Sequence, residues 1–256
     1  MLVHHMSGAG NDFAVIDARD LKEDLQSMAV RLCQQLHTDG FLALDHSAVA
    51  DFKLHFYNPD GLRGEMCGNG ARCICKFAYD NGIAGETMTV ETDAGLVYGR
   101  RIGETEYAVQ LNLPSVIDLH RCGDCAYVEL GDPGIPHAVV ALPELIWEDK
   151  EALRQLGCQL RHAPEFPKGT NVNFYRLLAP GRVRLLTYER GVEDFTLACG
   201  TGSASVAVVL WKKELLPQRK LTAENPGGIL TVTVEAQKGE IAALHLQGPV
   251  KTVAII

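Results

Sequence analysis

Apolar residues fall in short alternating or continuous runs along most of the chain, and only a few stretches show helical spacing. The opening reads as strand, turn, strand: residues 2–6, then Ser7-Gly8-Ala9-Gly10-Asn11-Asp12, then residues 13–17. Leu25, Met28, Ala29 and Leu32 predict a helix over 22–36. Strands are expected at 41–44 and 52–57, the second entering the turn peptide Asn58-Pro59-Asp60-Gly61. An apolar helix follows over 71–79, with Asn81-Gly82 as its stop. Strands at 88–92, 96–101 and 107–113 come next, and Pro114 is expected to end that sheet. The pattern from 115 to 134 is the least periodic and is taken as the crossing between two halves, before a buried strand at 138–142.

The second half repeats the plan of the first. Gly169-Thr170-Asn171-Val172-Asn173-Phe174 parallels Gly10-Asn11-Asp12-Phe13, and a strand over 182–188 runs into Glu189-Arg190-Gly191 as 53–57 runs into Asn58. Glu65-Met66-Cys67-Gly68-Asn69-Gly70-Ala71-Arg72 is matched by Leu197-Ala198-Cys199-Gly200-Thr201-Gly202-Ser203-Ala204. In each, Cys-Gly-x-Gly opens an apolar helix. The hairpin after each helix, 88–95 and 221–228, and the closing strands ending at Pro114 and Pro249 also correspond. A repeat that holds through so many successive features implies two similar halves related by a pseudo-twofold. Helices apolar on all sides are buried. The expected fold class is therefore α/β of the α+β type: two pseudo-symmetric halves, each a mostly antiparallel sheet wrapped around a central buried helix. The expected division is 1–115 and 116–249, with 250–256 returning as a strand to the first half and the active site in the cleft between them.

Composition narrows the functional classes. The 256 residues carry a formal net charge of −8 with 46% hydrophobic and 22% charged residues, a balance typical of globular proteins. That charge gives no support to a nucleic-acid or anionic-membrane partner. There is no signal-peptide pattern at the N-terminus and no membrane-length apolar run, so a cytoplasmic location is expected. Without an export signal, the eight cysteines are expected to be reduced.

A thiol at a helix start meets unpaired N–H groups and the positive end of the helix dipole, which lower its pKa from about 8.5 and favour a bound carboxylate. Two such thiols on opposite sides of one carbon suit inversion. One thiolate removes the α-proton and the other thiol returns one, so their titrations are coupled. The amides of Gly68-Asn69 and Gly200-Thr201 would stabilise charge developing on the substrate carboxylate. No dinucleotide or P-loop pattern is present, and no cofactor and no metal are expected.

The sequence resembles the diaminopimelate epimerase family over nearly its whole length. The resemblance rests on GNDF at 10–13, NPDG at 58–61, MCGNGARC at 66–73, PH at 136–137, TNVNF at 170–174, YERG at 188–191 and ACGTG at 198–202. It implies a cofactor-independent epimerase with Cys67 and Cys199 as the acid/base pair. Gly68, Asn69, Gly200 and Thr201 would hold the reacting carboxylate, and Asn11 would help bind the reacting centre. Asn58, Asn171, Glu189 and Arg190 would hold the distal amino-acid head, while His137 and Glu189 tune the thiols. The partners it implies are a small amino-acid substrate and a second copy of the chain, as a homodimer. Three departures concern substrate detail: Ile135 stands where relatives often have asparagine, 35–40 lacks the usual glycine-rich entry, and the segment from Glu189-Arg190 to Cys199 is one residue longer. Two alternatives stand beside this reading: a racemase of another amino acid such as histidine, and a thiol- or metal-based binding or redox protein using Cys73, Cys75, Cys122 and Cys125.

Overall fold

The computed structural model describes residues 2–64, 67–148 and 150–256, so Glu65 and Met66, which open the first thiol motif, lie outside the described residues. The chain forms two compact units, Met1–Gln110 with Gln247–Ile256, and Leu111–Leu246.

In the first unit, β1 (His4–Gly8) and β2 (Asn11–Asp17) pair through a turn at Ala9-Gly10, whose φ values are 53° and 90°. Positive φ at both central residues matches the twist of paired strands. The helix α1 (Leu25–Leu36) starts three residues later than its spacing suggests, because the Asp24 carboxylate caps it, accepting from Ser27 N at 3.0 Å. It leads to β3 (Gly40–Asp45), parallel to β2, and then to β4 (Phe52–Tyr57), antiparallel to β3. The short β5 (Arg63–Gly64) folds back on β4 ahead of α2 (Gly68–Asp80). β6 (Thr87–Thr92) is parallel to β4, and β7 (Gly95–Arg101) and β8 (Glu106–Leu111) continue antiparallel. The chain's last strand pairs with both β1, Val250 opposite Gly8, and β8. These pairings close eight strands, all but β5, into a barrel.

The barrel has an inner and an outer core. α2 lies against β1, β2, β3, β4 and β7, with Asn69 to Cys75, Phe77 and Ala78 buried. Outside, Met28, Ala29, Leu32 and Cys33 of α1 pack on Ala14, Ile16, Phe41 and Ala43. Strands covered on both faces read as continuous apolar runs, which is why Phe13 to Ile16 and Phe41 to Leu44 are all buried.

The second unit repeats this order. β9 (Pro114–Cys122) and β10 (Cys125–Gly131) form a hairpin, β11 (Gly134–Ala141) pairs antiparallel with β10, and α3 (Glu151–Arg161) leads to β12 (Asn171–Ala179), parallel to β11. β13 (Arg182–Glu189) is antiparallel to β12, and β14 (Asp194–Thr196) folds back on it before α4 (Gly200–Lys212). β15 (Lys220–Asn225) runs parallel to β13, β16 (Gly228–Gln237) antiparallel to β15, and β17 (Glu240–Ile255) ends the chain. α4 lies against β10, β11, β12, β15 and β16, and Gly202 to Leu210 are all buried. At about 1.5–3 kcal/mol per buried Val or Leu, Val206, Val208, Val209 and Leu210 make this helix the centre of its unit's stability.

Two expectations are corrected and one helix is added. Pro114 opens β9 rather than ending a sheet; proline lacks an N–H and fits the first residue of a strand. Residues 115–134 are not an irregular crossing but the β9–β10 hairpin, masked in sequence because most of β9 is half-buried and carries Asp118, His120 and Arg121. The helix α3 is an addition to the expected elements: Leu153, Leu156 and Leu160 stand at helical spacing and pack on the core of the unit, but only Gly157 of its residues is fully buried.

Candidate active site

Each thiol occupies the N-cap of its unit's buried helix. Cys67, with φ −131° and ψ 119°, precedes α2, and Cys199, with φ −114° and ψ 114°, precedes α4. Extended backbone at the cap followed by helical backbone turns the first amides of the helix toward the cap residue. At Cys199 this is explicit: Gly202 N donates to its Sγ at 3.3 Å, and Thr201 Oγ1 lies 3.5 Å from the same sulfur.

In the first unit, the β1–β2 hairpin delivers Asn11 and Asp12 to the start of α2. The approach is close, since a Cβ on Gly8 would lie 2.9 Å from the Asn69 carbonyl oxygen. Asn69 Nδ2 donates to Asn11 Oδ1, Asn11 Nδ2 donates to Asp39 Oδ2 at 3.3 Å, and Asp12 N donates to the same oxygen at 2.9 Å. Behind Asn69 sits Arg72, fully buried, donating to Asn69 Oδ1 at 2.8 Å and to Gly68 O at 3.2 Å. Asn11, Gly68 and Asn69 are thus brought together with Cys67. Asn58 stands at the end of β4 in a loop closed by Asn58 N donating to Leu62 O at 2.8 Å.

In the second unit, strand register sets the polar groups side by side. His137 on β11 is opposite Asn171 on β12, and Asn173 on β12 is opposite Thr187 on β13. Asn173 Nδ2 donates to Ala138 O at 2.9 Å and lies 3.2 Å from His137 Nδ1, while its Oδ1 accepts from Thr187 Oγ1 at 3.0 Å. These partners fix the amide orientation, so His137 Nδ1 accepts and the imidazole proton sits on Nε2. Burial pushes the His137 pKa down to about 3, with the Arg190 charge adding to the shift, so the ring is neutral near pH 7. A Cβ on Gly202 would overlap Asn173 Oδ1, which seats the first turn of α4 directly on this network.

Asn171 Oδ1 accepts from Arg190 N at 2.9 Å and its Nδ2 donates to Pro136 O at 3.0 Å, so it ties the start of the Glu189-Arg190 segment to β11. Arg190 is exposed and its Nη1 donates to Lys168 O at 3.1 Å. Glu189 Oε2 accepts from Thr196 Oγ1 at 2.9 Å; burial raises its pKa above the usual carboxylate range, against the lowering effect of that bond. A cationic ligand group beside it would favour the ionised form and oppose that rise.

Arg72, Asp39, Asn173, Thr187 and Thr196 were not singled out from sequence. Asn173 stands inside the TNVNF peptide, which was a usable signal; an arginine in an apolar helix or an aspartate in a polar loop was not. Cys73 and Cys75 are wholly buried in α2. Burial drives the Cys75 thiol up to about 12 and Cys73 higher still, which makes both poor nucleophiles and metal ligands. Among the described residues, no group of three or more His, Cys, Asp or Glu side chains could hold a metal ion, and no helix is long and apolar enough to cross a membrane.

A family model described as diaminopimelate epimerase matches residues 3–110 and 131–253. The chain belongs to the diaminopimelate epimerase family. The diaminopimelate epimerase of Aquifex aeolicus is 36% identical over 263 residues, covering 92% of this chain and 91% of its own. That of Chlorobaculum tepidum is 36% identical over 259 residues, covering 97% of each chain. Two solved structures share the fold at low identity. A phenazine biosynthesis protein of the PhzF family from Bacillus anthracis matches with a TM-score of 0.76 at 14% identity, over 100% of this chain and 98% of its own. A hydroxyproline epimerase from Agrobacterium vitis, with trans-4-hydroxy-L-proline bound, matches at 0.70 and 17%, over 100% and 90%. The protein is accordingly an amino-acid epimerase, an isomerase of the diaminopimelate epimerase type.

Proposed function

We propose that the chain interconverts L,L- and meso-2,6-diaminopimelate without a cofactor, using Cys67 and Cys199 as a thiolate–thiol pair. The observation that carries this reading is the matched placement of the two thiols, each at the N-cap of a helix buried at the centre of its unit. One sulfur, as thiolate, takes the α-hydrogen as a proton. The electron pair left on carbon delocalises into the α-carboxylate, and the second sulfur delivers its proton to the opposite face of that carbon. One S–H bond forms and one breaks, so protons and electrons balance. The amides of Gly68-Asn69 and Gly200-Thr201 stabilise the carboxylate charge as it grows. Asn11 orients the reacting centre.

At the distal centre, Arg190 takes the carboxylate and Glu189 the ammonium, with Asn58 and Asn171 completing the polar set. His137, being neutral, tunes the thiols as an N–H donor and not as a cation. The buried surroundings of Glu189 suit it to pair with a substrate ammonium, which would also tie thiol tuning to substrate binding. The proposed enzyme works as a homodimer in the cytoplasm.

Incubating the purified, reduced protein with L,L-diaminopimelate in deuterated water tests the reading. The expected result is meso product carrying deuterium at the inverted α-carbon. Absence of both, or a stronger preference for histidine or another amino acid without a distal amino-acid head, would refute the substrate assignment.

A further inference from the structure

Arg72 is a fully buried guanidinium, and such a group stays charged and is costly to remove from water unless its surroundings compensate. Its Nη1 and Nη2 donate to Gly68 O and Asn69 Oδ1, while Nε has no hydrogen-bond partner among the described residues. The titratable groups that act on it are the thiols of Cys67, Cys73 and Cys75 on α2 and the carboxylate of Glu106 on β8, the last of which accepts from Gln247 Nε2 at 3.3 Å. Among the described residues, no carboxylate forms an ion pair with it. A simple structural pair therefore does not explain its burial.

Arg72 does head a line of directed hydrogen bonds. It can only donate, and it does so to Asn69 Oδ1; Asn69 Nδ2 then donates to Asn11 Oδ1, and Asn11 Nδ2 to Asp39 Oδ2, which can only accept. An isolated asparagine amide can flip at little cost. Here a reversed line would face Arg72 N–H groups against an amide N–H at one end and a carboxylate against an amide oxygen at the other.

We propose that Arg72 is a positioning residue, which locks the Asn69–Asn11 amide pair so that Asn11 meets an incoming carboxylate with N–H and not with oxygen, and which places positive charge beside the Cys67 sulfur. Its catalytic consequence rests on the epimerase reading above, whereas its effect on the thiol does not. The two effects separate by substitution: lysine keeps the charge and loses the planar fork, and methionine loses both.

The test measures alkylation of Cys67 by iodoacetamide, quantified on its peptide by mass spectrometry across pH, together with kcat and KM for diaminopimelate. A nearby cation typically moves a pKa by about 1–3 units, so Arg72→Met is expected to raise the half-alkylation pH by about one unit. It should also raise KM roughly tenfold. Arg72→Lys should keep the wild-type alkylation profile with KM still raised. Asp39→Ala, which removes the acceptor at the exposed end of the line, should raise KM several-fold with kcat and alkylation unchanged, and it decides the case if the Arg72 variants do not fold. A folded Arg72→Met with wild-type alkylation and KM, or Asp39→Ala with wild-type KM, overturns the inference. If the wild type does not epimerise diaminopimelate, the functional reading fails on its own, and the alkylation comparison still decides for or against the charge at Arg72.

Discussion

His137 carries a pH signature that follows from its surroundings. Its pKa falls from 6.5 to about 3 on folding, so between those values the unfolded chain binds more protons than the folded one. Stability is then complete above pH 6.5 and declines as pH drops toward 3, by a few kcal/mol in all. Thermal midpoints measured from pH 7 to pH 4 should fall steeply in the wild type and less steeply in His137→Gln; equal slopes would remove His137 as the cause. Asn173 is the next residue to test, because it joins His137, Ala138 O and Thr187 beneath the first turn of α4. Truncation leaves those buried groups unpaired, at about 1–3 kcal/mol for each such group. Asn173→Ala is expected to lower kcat more than KM, since it loosens the seat of Cys199 without touching the distal groups. The two thiols were legible in sequence because a cysteine ahead of Gly-x-Gly and an apolar run can hardly be anything but a helix start. Asn173 and Arg72 were not, because their meaning comes from partners distant in sequence that only strand register and barrel closure bring near.

The central helices depend on glycines in the strands that surround them. A Cβ on Gly99 of β7 would overlap Cys75 Sγ on α2, and Met88 Cγ would be 3.2 Å away. Overpacking of this kind costs about 1–3 kcal/mol, so Gly99→Ala should lower the thermal midpoint by several degrees. Adding Cys75→Ala should restore part of that loss, and strict additivity in the double variant would contradict the packing account. Elements whose residues are buried on a regular period could be read in advance: β4 was placed at its observed bounds, and α2 and α4 were recognised by their apolar composition, each a few residues short at the N-terminus where glycines conceal the first turn. Elements that bury one narrow face could not. α3 meets its sheet through Gly157 on Tyr188 together with Leu153, Leu156 and Leu160, and a glycine in mid-helix reads as a breaker in sequence when here it permits close approach. β9 was hidden in the same way by polar residues on a half-buried strand.

Across the molecule, the order of elements in the first unit recurs in the second: hairpin, helix, parallel strand, antiparallel strand, short return strand, thiol, buried helix, and a strand parallel to the one two before it. That recurrence was visible in sequence because turn peptides and thiol motifs follow one another in the same order in both halves. It also explains why the same arrangement, a thiol at the N-cap of a buried helix, arises twice in one chain. The central claim is that both thiols are required for one inversion, and single-cysteine variants test it most directly. Cys67→Ala and Cys199→Ala should each fold and each lose at least about a hundredfold in the rate of meso product formation, the scale of a missing general acid or base. A folded variant of either kind that inverts L,L-diaminopimelate at the wild-type rate would contradict the account.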